Sequence, residues 1–117
     1  MANQVSKITL TFDAADTTKT STKISQNKDV HSGVLIAMKV KTSDWVSADT
    51  VTVAVNDKDG DAMYTETGIA KNTTVYKYPS DKPPLVEQET ITATMSGTGP
   101  GAGGGTVEVS LFYLKEK

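Results

Sequence analysis

The chain has 117 residues, a formal net charge of −2 and no cysteine, which excludes disulfides, thiolate nucleophiles and cysteine-held metal sites and fits a reducing compartment. All 12 basic residues are lysine; without the planar fork of arginine for phosphates and base edges, sequence-specific nucleic-acid binding is not expected. No apolar run approaches the roughly 18 residues a membrane span requires.

Residues 1–4 are expected to be flexible, and residues 1–5 offer neither the basic region nor the apolar stretch of a secretory signal. Beyond them, period-2 alternation recurs along a chain with 18 threonines and with valine as its commonest large apolar residue. β-branched side chains pack well on a pleated surface and lose rotamer freedom in a helix. Ile8, Leu10 and Phe12 face one way, against Lys7, Thr9 and Thr11. Residues 17–26 read as a polar edge strand whose lysines discourage further pairing. In the most apolar segment, 34–41, Val34, Ile36, Met38 and Val40 are expected in register on the inner face, with Lys39 and Lys41 outside.

Val51, Val53 and Val55 form a fourth inward face, and a turn at 56–61 returns an antiparallel strand over 62–67. Residues 73–78 set Val75 and Lys77 opposite Tyr76 and Tyr78. Ile91, Ala93 and Met95 mark a seventh strand; Val107, Val109, Leu111 and Tyr113 mark an eighth. Residues 13–18 and 43–48 are the best places for a helical turn. The proline-rich 78–85 reads as a stiff crossover, because prolines fix φ and cannot donate to a ladder. The glycine-rich 96–105 reads as a flexible hairpin loop, or as one threaded through a tight space. About eight short strands separated by turns argue for an all-β, two-sheet antiparallel β-sandwich over residues 1–117, with a jelly roll as its expected form. A single domain of this length buries about two-thirds of its unfolded surface and needs no covalent staple.

Candidate chemistry is sparse. Asp57, Asp59, Asp61 and Glu66 fall at EF-hand-like spacing, but Val55 occupies the first ligand position and strands flank the segment; tight-turn chemistry accounts for every residue. Gly99, Gly101, Gly103 and Gly104 lack the lysine and helix of a P-loop; their functional alternative is a loop that fits between neighbouring subunits and orders on assembly. His31, the only histidine, lies beside Asp29 and Ser32, but sequence neighbours on a strand point to opposite faces and cannot form a triad. Trp45 either caps the core or anchors an interface, and the large area an aromatic buries favours the core. Tyr64, Tyr76 and Tyr78 pose the same question on an outer face. The sequon at Asn72 has no secretory context. No catalytic equipment and no cofactor are expected.

The threonine-rich run with 51–61 at its centre, followed by a glycine-rich loop feeding the strand 105–114, resembles small structural proteins of tailed bacteriophages, jelly-roll capsid decoration (cement) proteins above all. That resemblance implies a protein on the outside of the phage head, assembled in the host cytoplasm. It would bridge major capsid subunits through loops, termini and strand edges, and self-associate as a dimer or trimer. The rival functions are a carbohydrate-binding sandwich with Trp45 and the tyrosines as its platform, and a tail, neck or fibre component of the virion.

Overall fold

The computed structural model describes residues 3–22, 33–85 and 88–115. Among these residues alternating side chains build nine strands: β1 (Asn3–Phe12), β2 (Thr18–Thr20), β3 (Gly33–Thr42), β4 (Val51–Asn56), β5 (Ala62–Ile69), β6 (Thr74–Lys77), β7 (Pro84–Leu85), β8 (Thr90–Met95) and β9 (Gly105–Lys115). Every pairing is antiparallel. Sheet A runs β1-β9-β3-β6, with the two-residue β7 extending it along β3; sheet B runs β2-β8-β4-β5. This order, with the chain passing repeatedly between sheets, is that of a jelly roll. Among the described residues there is no helix, and 13–16 and 43–50 form a tight turn and an open loop.

The inner faces meet in one apolar layer. Val51, Val53 and Val55 from β4, Ile91 and Ala93 from β8, and Val107 and Val109 from β9 are wholly inaccessible to solvent. Removing a valine or isoleucine side chain from water contributes about 1.5–3 kcal/mol, so these rows hold the sheets together. The core is one contiguous cluster that also takes in Leu10, Phe12, Met38, Val40 and Leu111. At one open side, Lys77 on β6 approaches Glu66 on β5 at 3.9 Å and links the outer strands of the two sheets. Both groups are partly exposed, and such a pair contributes less than about 1 kcal/mol.

Three expectations need correction. Val34 and Ile36 do not share the inner face with Met38 and Val40. The β3–β9 register shifts between Leu35 and Ala37, so Ile36 is an extra residue, and Leu35 is the inward one ahead of it. The proline-rich segment is not a crossover: Leu35 N donates to Pro83 O at 2.9 Å and β7 pairs with β3, so this stretch stays on sheet A. The chain changes sheets after it. Prolines suit that place because an outermost strand has no outer neighbour demanding an N–H.

The third correction is the glycine-rich loop. It joins β8 in sheet B to β9 in sheet A, so it is a connection between layers and not a hairpin. Gly99 and Pro100 are buried. Gly101 N donates to Ala14 O (3.0 Å), Ser47 N to Pro100 O (2.8 Å) and Gly99 N to Asp49 Oδ2 (2.9 Å). A Cβ on Gly99 would lie 2.8 Å from two carbonyl oxygens of 14–16, and one on Gly104 only 2.3 Å from Phe12 O. The glycines let backbone lie directly on backbone. Of the two sequence readings, threading through a tight space is the one found.

Candidate docking surface

Trp45 is the keystone of the end of the sandwich where this loop sits. It is 2% exposed and packs in the core, its Nε1 donating to Asp49 O at 3.0 Å. Lys71 Nζ donates to Trp45 O at 2.8 Å and Asn72 N to Ser43 O at 2.9 Å. Ser43 and Thr106 exchange bonds, Ser43 N to Thr106 O and Thr106 N to Ser43 Oγ. The tryptophan is thereby a structural plug and leaves the set of exposed aromatic candidates.

The acidic turn at the opposite end is satisfied internally. Asp57 N donates to Asp61 O and Gly60 N to Asp57 O, while Asp57 Oδ1 accepts from Asp59 N (2.9 Å) and Asp61 N (3.0 Å). Glu66 bonds to the Tyr64 hydroxyl instead of turning toward the aspartates. Desolvation, then the neighbouring Glu66 carboxylate, pushes the Tyr64 phenol well above its usual range. Among the described residues no three His, Cys, Asp or Glu side chains gather to hold a metal. Asp29, His31 and Ser32 lie outside the described residues, as do residues 23–26 of the polar strand expected over 17–26, of which β2 is the observed part.

The outer face of sheet A divides in two. Toward the loop end it is polar, with a cleft of ≈ 210 Å³ lined by Thr9, Lys41, Thr42, Ser43, Thr106 and Glu108. That is below the about 300–1,000 Å³ of a small-molecule site. Toward the other end it is apolar. Phe112 and Leu114 alternate with the inward Leu111 and Tyr113, and they stand opposite Ala37 and Val34 in register. Val34, Ile36, Phe112 and Leu114 are half-buried yet take no part in the core cluster. Tyr76 (52% exposed) lies opposite Lys39, whose Nζ sits 5.7 Å from the ring centroid; Tyr78 (72% exposed) follows just beyond the strand. The extra residue Ile36 is what turns Val34 to this side. Sequence alternation alone missed the patch because it assumes an unbroken strand; the placement of Phe112 and Leu114, opposite to the core residues of β9, was the available signal.

Gly101, Gly103 and Gly104 retain partial exposure at the loop end, whereas the surface of Gly99 is consumed within the chain. Among the described residues no helix is long and apolar enough to cross a membrane.

No protein-family model matches the chain, and no curated protein matches it in sequence. Its fold recurs among solved structures. A chain of the cyanophage Pam1 capsid asymmetric unit is similar at TM-score 0.60 and 14% identity, over 96% of this chain and 84% of that one. A protein of the Bacillus endospore appendages, described as disulfide-linked pili, is similar at TM-score 0.54 and 14% identity over 99% and 88%. The structure of tomato aspermy virus gives TM-score 0.53 and 9% identity over 98% and 79%. At these identities the likeness is one of fold. The class defined is a jelly-roll sandwich with a packed interior and an outer face that is apolar over one half.

Proposed function

We propose that the chain is a virion structural protein that decorates a phage head and reinforces it through protein–protein contacts, without enzymatic activity. The observation that carries this reading is the apolar half of the outer face of sheet A, where Val34, Phe112, Leu114, Tyr76 and Tyr78 stand outside the protein's own core. A face of this kind marks an interaction site on a soluble β-sandwich, and exposed tyrosines are favoured where one end of a side chain is buried and the other stays wet. The fold shared with a capsid chain supports the same reading. Many copies on a particle multiply weak individual contacts through multivalency.

Cosedimentation with purified heads tests it. Wild-type protein is expected to pellet with heads and a Tyr76→Ser/Tyr78→Ser variant to bind about tenfold less, the loss typical of truncating an aromatic anchor. Heads that never bind the protein, or association confined to tails, would defeat the head-decoration reading. Binding that ignores both tyrosines would remove this face from the account. The carbohydrate platform keeps Tyr76 and Tyr78 but loses Trp45, which is buried.

A further inference from the structure

Among the described residues the sandwich has four outermost edges, β6 and β7 sharing one, and three of them are blunted. β5 carries two register shifts against β4, with Gly68 at φ 69 beside the first. β2 has three residues. β6 has four and is continued by the proline-bearing segment and β7. Bulges, shortness and proline are how proteins stop a sheet from recruiting another strand.

β1 has none of these devices. Its ladder with β9 runs from Asn3 to Phe12 without a register shift and without proline. Its single charge, Lys7, stands on the outer face with its side chain 61% exposed, 3.6 Å from Glu108 on β9. Among the described residues nothing pairs with its outer edge. An uninterrupted row of unpaired N–H and C=O groups is a template for one more strand.

We propose that the strand it takes is β1 of a second copy of this chain, antiparallel about a two-fold axis at Ile8, joining two copies of sheet A into one continuous sheet. Antiparallel self-pairing places residue i opposite a partner residue on the same face, which restricts the possible centres. Centred on Lys7, it would set the two ammonium groups directly opposite, an unfavourable pair. Centred on Ser6 or Thr9, the ladder is shorter. Centred on Ile8, it spans 4–12 on both copies, sets each Lys7 opposite Thr9, and brings together the two half-buried Ile8 side chains. A two-fold contact of this kind is self-complementary by construction. The inference gives form to the self-association that the resemblance to decoration proteins implies, but needs no head. A dimer that fails to bind heads would defeat only the function proposed above; a head-binding monomer would defeat only this one.

Sedimentation equilibrium on the purified protein tests it, with circular dichroism and thermal unfolding to establish that each variant is folded. Thr9 is exposed, so it can be changed without disturbing the core. Thr9→Lys sets lysine against the partner's Lys7 at two symmetry-related places and is expected to weaken the dimer about tenfold. Thr9→Glu sets a carboxylate there and is expected to preserve or tighten it. In a chain without native cysteine, Ile8→Cys should yield a disulfide-linked dimer on mild oxidation and Lys7→Cys much less, its two copies being diagonal across the axis. A monomer at every concentration, equal responses to the two Thr9 variants, or equal cross-linking at positions 7 and 8 would each overturn the proposal.

Discussion

The two ends of the sandwich solve the same problem by different means. At the end bearing Trp45, four connections (13–17, 43–50, 70–73 and 96–104) bond to one another across 25 or more residues of sequence, as between Lys71 and Trp45, Ser47 and Pro100, and Gly101 and Ala14. At the other end the 57–61 turn satisfies itself through Asp57 and its neighbours. One end is therefore part of the tertiary structure and changes there should propagate. The other is a local closure whose alteration should stay local.

That contrast can be broken by measurement. The largest expected effect is at Trp45: replacing it with alanine empties the plug and strands its partners, and should cost about 3–5 kcal/mol in urea denaturation. A loss below about 1 kcal/mol, the size of a surface change, would show that the loops hold that end without it. Next comes a matched glycine pair. Gly104 and Gly60 both have positive φ (69° and 89°), but a Cβ meets Phe12 O at the first and open space at the second. Both substitutions to alanine incur left-handed strain of about 1 kcal/mol, and Gly104→Ala should add about 1–2 kcal/mol more from the collision. Equal costs would abolish the distinction between the ends.

Asp57→Ala should cost about 1 kcal/mol, the usual value for removing a side-chain acceptor of backbone N–H groups. Its effect should be confined to the turn, with amide hydrogen exchange faster at 57–61 and unchanged around Trp45. The smallest effect is a pH dependence. The Tyr64 phenol is raised above its ordinary pKa of 10.0. Its contribution is therefore fully present below that pH, and is lost as pH climbs toward the folded-state value, because the unfolded chain gives up its proton first. Denaturation midpoints between about pH 8 and 11 should fall less steeply for Tyr64→Phe than for wild type. Identical slopes would mean that neither burial nor the Glu66 contact biases that proton.

The same division explains what the sequence made legible. Features set by neighbouring residues were readable: the valine row of β4, the alternation of β9, the Asp-Gly turn, the sandwich and its jelly-roll form. Features set by distant residues were not. Nothing near 96–105 says that Ala14, Ser47 and Asp49 will grip its backbone, so a glycine-rich stretch reads as loose when it is in fact pressed between loops. Trp45 was assignable to the core by its size, but its role in joining loops was not. Likewise, the place of Val34 in the apolar exterior of sheet A depends on one unpaired residue in β3, and composition cannot locate such a defect in a ladder.

That residue has a wider consequence. Because Ile36 is interposed, odd positions of β3 point into the protein before it and even positions after it. A single run of alternating aliphatics thus supplies the interior with one half of its length and the exterior with the other. Straightening the bulge with Ile36 kept in the ladder would put Val34 in the inward sequence and leave Leu35 facing solvent, exchanging the two surfaces along the first half of the strand; deleting Ile36 would restore unbroken alternation with both residues on their present faces. Deletion of Ile36 should therefore be better tolerated than deletion of a residue from the unshifted β1 ladder, since the frame of the strand, more than its chemistry, decides which face meets the outside.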